Sequence, residues 1–190
     1  MKPIKIIPIL LSLLIFGCLQ VDEEALEDIS YRQNNVALTL PYSWQITEDQ
    51  SELDYRFLFI ESAGDAVVRI EGFPQEDDFT LDDYIQLSTQ LLAQESDELI
   101  KFSYDGNKQL IQENIGGQMQ EGTEVKIQVA VVGMKVPHIQ QYFQVDLNDF
   151  SYFILVQSEV SEYKSIKDDI KKILASFSVF SGPDIQELAE

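Results

Sequence analysis

Few residues in this chain are equipped for covalent or metal chemistry. It has one cysteine, Cys18, and one histidine, His138. A catalytic histidine needs a nucleophile or an orienting acid, and zinc wants several His or Cys ligands. His138 follows Val136-Pro137 and precedes a strand-like run, so it reads as a surface or strand-end residue. Ser43, between Tyr42 and Trp44, lacks the G-x-S-x-G elbow of a hydrolase nucleophile and reads as a corner residue. Trp44, with Pro41 and Tyr42, forms either an aromatic ligand corner or a plug at one end of a core. Glu76, Asp77, Asp78, Asp82 and Asp83 crowd five carboxylates into eight residues. Calcium takes six to eight oxygens, so the cluster is a calcium candidate, although the EF-hand spacing is missing. Acids at a helix start also meet the positive end of its dipole, which makes a solvated helix entrance the simpler reading. Lys164, Lys167, Lys171 and Lys172 gather on one helical stretch, as a partner- or lipid-facing stripe or as the ordinary cationic end of a helix. Gly116-Gly117 is a turn, and no nucleotide-binding glycine pattern is present. No catalytic residue and no cofactor follow from this inventory, and the chain is expected not to be an enzyme.

The charge balance narrows the partners. Lys and Arg number 13 against 33 Asp and Glu, a net charge of −20, in a chain of 190 residues that is 45% hydrophobic. That is globular composition. Nucleic acid is excluded as a partner, because its phosphates must be neutralised by Lys and Arg. The same excess argues against docking the body directly on an anionic lipid surface.

The elements that must position these residues are mostly strands. Period-two alternation marks 36–40, 66–71, 124–132 and 139–147, and Asn148-Asp149 turns the last of these into 150–157. Residues 55–61 are apolar on both faces and are expected to be central. Weaker signals at 99–104 and 108–115 are separated by an Asp105-Gly106-Asn107 turn. Two helices interrupt the strands. Thr80 caps one that carries Leu81, Tyr84, Ile85, Ser88, Leu91 and Leu92 at helical spacing. The other runs from about Ser161 to Phe177. Stripes on the helices and apolar faces on the sheet imply layers, so the class is α+β.

The N-terminus carries an address. Lys2 and Lys5 precede an apolar run from Ile6 to Phe16, which at eleven residues is too short to span a bilayer and suits a signal peptide. Its exit, Leu14-Ile15-Phe16-Gly17-Cys18, resembles the lipobox of bacterial lipoproteins. That resemblance implies cleavage between Gly17 and Cys18 and acylation of Cys18, hence a membrane anchor. Leu19 in place of Asp favours the outer membrane facing the periplasm over the inner membrane. Loss of residues 1–17, which hold two bases and no acid, leaves 173 residues with 11 bases and 33 acids, a charge of −22. The expected division is a signal peptide (1–17), an acidic tether (18–34), one domain (35–180) and an acidic tail (181–190).

Within that domain, Leu40-Pro41-Tyr42-Ser43-Trp44, Phe79 to Tyr84, Ile115-Gly116-Gly117 and Ile173 to Phe177 occur in an order that resembles the PsbP-like fold. The resemblance spans roughly residues 34–180. It implies an α/β/α sandwich around a largely antiparallel sheet, and no enzymatic activity. The resulting expectation is a lipid-anchored envelope protein that assists or stabilises a membrane-associated protein partner, with a ligand- or calcium-binding envelope module as the alternative.

Overall fold

The computed structural model describes residues 27–75, 79–96 and 99–180. Gly17, Cys18, the acids Glu76, Asp77 and Asp78, and the tail 181–190 lie outside the described residues. Five strands come first: β1 (Ile29–Gln33), β2 (Val36–Leu40), β3 (Trp44–Ser51), β4 (Arg56–Ser62) and β5 (Val67–Pro74). Then follow α1 (Leu81–Glu95), β6 (Ile100–Ile115), β7 (Gln118–Val131), β8 (Met134–Leu147), β9 (Phe150–Glu159), α2 (Val160–Ser176) and β10 (Ser178–Val179). Seven strands form one antiparallel sheet in the order β3-β4-β5-β9-β8-β7-β6, and β1-β2-β10 form a second.

β9 occupies the middle of the large sheet, and its residues from Ser151 to Val156 are buried on both faces. Period two explains how one strand serves two cores. Tyr152, Ile154 and Val156 face α2 and the small sheet, in a core that also holds Val36, Leu38, Trp44, Ile173 and Phe177. Phe153 and Leu155 face the other way, in a smaller core with Tyr84 and Ile85 of α1. The two helices therefore cover opposite faces, the expected sandwich. The expected central strand is instead second from an edge: Phe57 and Phe59 of β4 are only half-buried, because α1 does not reach far enough to cover them.

The small sheet is pinned to the large one by a buried cation. Arg56 is 4% exposed and pairs with Asp49 at 2.6 Å. It also donates to the carbonyls of Asn34, Gln50 and Phe57 at 3.1, 2.7 and 2.8 Å and to the Tyr31 hydroxyl at 3.0 Å. Every donor set here has an acceptor, which is the condition for burying a charge at acceptable cost. Opposite this staple, the β6–β7 turn docks on the end of α2, where the Gly116 amide donates to the Leu174 carbonyl at 3.0 Å. Gly116 has φ +60°, and a Cβ there would stand 2.8 Å from the Phe177 carbonyl oxygen, so glycine is required.

Three further expectations need correction, and one strand was not expected. The acidic tether does not extend to residue 34: β1 lies within it, with Ile29 opposite Leu40 and Tyr31 opposite Leu38, and Arg32 sits 3.6 Å above the Phe180 ring. The turn at 105–107 does not separate two strands. Uninterrupted β7 holds both halves of β6 in line, and the surplus residues, with Gly106 at φ +80°, bulge between Tyr104 and Lys108. β8 begins before His138 and includes Pro137, which the sheet tolerates because β9 has ended at Glu159 and this stretch pairs on one side only. Finally β3, with Ile46 as its one strongly apolar residue after Trp44, is a strand that alternation did not reveal.

Candidate functional site

α1 starts where the sequence placed it. Thr80 and Asp83 form a capping box, with the Asp83 amide donating to Thr80 Oγ1 at 3.3 Å and the Thr80 amide to Asp83 Oδ2 at 3.0 Å. These bonds hold the Asp83 carboxyl below its ordinary pKa. Asp82 pairs with Lys108 at 2.6 Å. Both described members of the acidic cluster are thus engaged in holding α1 in place, and among the described residues no three His, Cys, Asp or Glu side chains converge on a metal position.

The Trp44 corner resolves in favour of the plug. A turn closed by the Trp44 amide on the Pro41 carbonyl, at 2.9 Å, sends the indole inward. Trp44 is 1% exposed and its Nε1 donates to Asp169 Oδ2 at 3.3 Å, whereas Tyr42 is 56% exposed. One ring lies in the core and the other in solvent, so the expected ligand corner of Tyr42 and Trp44 offers no shared aromatic face. Ser43 lies in the exposed turn between them. His138 is half-buried in β8, with Nδ1 3.1 Å from the Val136 carbonyl. The lysines of α2 divide as well: Lys172 pairs with Asp28 at 2.9 Å, while Lys164, Lys167 and Lys171 are exposed.

What the structure assembles, and the sequence did not show, is a groove between α1 and the β4–β5 side of the sheet. Leu87 and Leu91, four apart on α1, form its helical wall and are each nearly half exposed. Its opposite wall is an aromatic row. Phe59 stacks on Phe57 at 6.3 Å, Phe57 on Tyr55 at 6.2 Å, and Tyr55 meets Phe73 at 5.4 Å. Phe73 then reaches Phe153 at 6.2 Å, which Tyr84 covers at 4.6 Å. Two hollows deepen the groove. One of about 230 Å³ is lined by Phe73, Pro74, Phe79, Leu87, Ser151 and Phe153. The other, of about 280 Å³, has Phe59, Leu91 and Leu92 on its walls and Arg69, Ser88, Gln140 and Gln157 at its base.

The floor is polar and largely paired within itself, although Arg69 Nε is buried without a hydrogen-bond partner. Arg69 donates to the Tyr84 hydroxyl at 3.1 Å and to Ser88 Oγ at 3.3 Å, and its Nε lies 3.4 Å from Glu71. Glu71 accepts from the hydroxyls of Tyr84 and Tyr55. Burial, reinforced by the Glu71 carboxylate, pushes the Tyr84 and Tyr55 hydroxyls up, and burial does the same for Tyr142. These phenols stay protonated at neutral pH. Glu71 offsets the Arg69 charge. The arrangement suits binding of apolar groups against a hydrogen-bonding floor whose cation is paired with Glu71. The apolar residues on both faces of 55–61, read as the mark of a central strand, were the one sequence signal of the groove.

No family model and no curated protein matches the chain. Several solved structures are similar to it. The solution structure of cyanobacterial PsbP (CyanoP) from Synechocystis sp. aligns over 87% of this chain and 99% of that one, with a TM-score of 0.49 and 12% identity. The crystal structure of LpqN, involved in cell envelope biogenesis of Mycobacterium tuberculosis, aligns over 82% and 91%, with a TM-score of 0.44 and 11% identity. A Pseudomonas aeruginosa protein of unknown function aligns over 82% and 98%, with a TM-score of 0.38 and 15% identity. PsbP, whose family the sequence resembles, is thus among the similar solved structures. The α+β sandwich itself rests on the registers and the two cores described above.

Proposed function

We propose that this chain is a lipid-anchored, non-enzymatic envelope protein that assists or stabilises a membrane-associated protein, and that it grips an apolar segment of that partner in the groove beside α1. The observation that carries the reading is the half-open aromatic row. Phe57, Phe59 and Phe73 stand beside exposed Leu87 and Leu91 over a floor whose charges already cancel. Such a surface gains by excluding water from apolar partners and offers no reactive group to a substrate. Among the described residues no helix is long and apolar enough to cross a membrane. The lipobox-like run ending at Cys18 supports attachment through acylated Cys18, and Leu19 after it supports the outer membrane facing the periplasm.

Two measurements test this. Intact mass of the mature protein should give a chain starting at acylated Cys18; an unmodified start elsewhere removes the anchor. Replacing Phe59 with Glu should release the partner from crosslinked membranes while leaving the melting temperature within a few degrees. An unchanged crosslinking pattern would move the partner away from the groove. A second reading, a small amphipathic ligand in the hollow at Arg69, is favoured by the amides of Gln140 and Gln157 in its lining. A ligand-induced rise in melting temperature that Ser88→Leu abolishes would support it.

A further inference from the structure

The large sheet has a projecting end. β8 residues Met134 to Pro137 pair with β7, but β9 stops at Glu159 opposite His138. β6, β7 and β8 therefore run on as a three-stranded tongue for four residues, about 13 Å at ~3.3 Å per residue. Its end is apolar. Ile100, Val131 and Met134 share one row across the three strands, and the turn that closes it is Val132-Gly133. Val132 is 71% exposed and Met134 69%.

That turn departs from the molecule's own habit. Four two-residue hairpin turns have both residues at positive φ: Asn34-Asn35, Gly116-Gly117, Asn148-Asp149 and Val132-Gly133. Three use Asn, Asp or Gly, the residues that tolerate this backbone. The fourth holds a β-branched side chain at φ +50°, the least suitable kind, and leaves it in solvent. Strain and exposure at one residue mark a position kept for something other than folding.

The charge on the tongue is also local. From Leu99 to Tyr104 and from Gln128 to His138 the charged residues are Lys101 and Lys135 alone, in a chain of net charge −20, with Asp97 and Glu98 preceding Leu99. Both lysines flank Ala130 in one row, on the face opposite Val131, and both are exposed. Acids bound this patch on two sides: Glu159 at the base of the tongue, and Asp97 and Glu98 next in sequence to Leu99, whose carbonyl accepts from the Val132 amide at 2.7 Å.

We infer that this tongue inserts into the interface of a phospholipid bilayer, with Val132, Val131 and Met134 at the acyl boundary and Lys101 and Lys135 among the phosphates. A projecting end, apolar on one face and cationic on the other, fits a headgroup boundary, whereas a protein groove would have to surround it. The inference rests on the envelope reading only for the presence of a bilayer; it involves neither the anchor nor the groove, and it sets the two lysines of the tongue against the repulsion that the acidic chain as a whole meets at an anionic surface.

The test is flotation of residues 19–190, which keep both sheets and both cores and carry no acyl chain, with vesicles of phosphatidylcholine and one quarter phosphatidylglycerol. The wild-type chain should float. Val132→Asn should lower its partition about tenfold or more, the loss expected for one apolar side chain, with no fall in melting temperature. Lys101→Gln with Lys135→Gln should lower it about tenfold at low salt and less at high salt. A wild-type chain that stays in the aqueous phase at millimolar lipid overturns the inference and leaves the Cys18 anchor to its own mass measurement. Equal flotation of Val132→Asn also overturns it. So does a concentration-dependent dimer that Val132→Asn disperses, since the tongue would then meet a second copy.

Discussion

Val132→Asn should make the protein more stable, although it removes an apolar side chain. The left-handed backbone costs an L residue roughly 1–2 kcal/mol, and β-branching places Val at the upper end of that range. Asn relieves most of this and gives the turn the Asn-Gly pair that type I′ geometry favours. Against it stands the lost burial of Val. Full burial would be worth about 1.5–3 kcal/mol, but Val132 is 71% exposed, so only about 0.5–1 kcal/mol is forfeited. The balance is a gain of about 1 kcal/mol. For a chain of 190 residues this raises the melting temperature by about 2–4 °C. Thermal unfolding followed by the fluorescence of Trp44, the chain's one tryptophan, reads it directly. Val132→Gly should gain less, because glycine adds freedom to the unfolded chain. A fall in melting temperature for the Asn variant would show that Val132 is packed or unstrained, and would remove the argument that the turn is kept for a purpose other than stability.

Other perturbations read the rest of the structure. Trp44→Ala should cost about 3–5 kcal/mol in urea unfolding, since it empties the core end and leaves Asp169 without its indole donor. Asp49→Ala should destabilise by as much as about 3–5 kcal/mol, because Arg56 would stay buried without its counter-charge; a loss below about 1 kcal/mol would mean the carbonyls suffice. Thr80→Ala should cost about 1 kcal/mol by removing the cap of α1. Alkaline titration should destabilise the fold. The Tyr84 and Tyr142 hydroxyls are raised above their usual value of 10.0, so the stability tied to their protonated forms is complete below pH 10.0 and declines above it. Tyrosinate absorbance from these rings should appear with unfolding and not before.

Much of the architecture was legible because it obeys simple periods. Val36–Leu40 alternates cleanly and is β2 to the residue; Asn148-Asp149 is a turn; Thr80 caps α1. β3 escaped notice because an edge strand with one face in solvent needs few apolar residues, and Ile46 alone does not make a pattern. β1 was hidden by the acids before it: its own alternation of Ile29 and Tyr31 is correct but short. The groove was signalled only by the two apolar faces of 55–61, since its form depends on how far α1 extends over β4 and on where the half-covered Phe57 and Phe59 fall. Sequence period shows which face is apolar, but not whether a neighbour covers it. The strain at Val132 was likewise invisible, because a Val-Gly pair between two strands does not announce the sign of its φ.

Photocrosslinking from single positions in intact cells tests the central claim, that the groove beside α1 holds a partner, most directly. A crosslinking residue at Leu91 should yield one discrete adduct with a membrane protein, weakened by Phe59→Glu. The same residue at Leu53, 97% exposed but outside the groove, should yield none. Equal adducts at both positions, or none at Leu91, would contradict it.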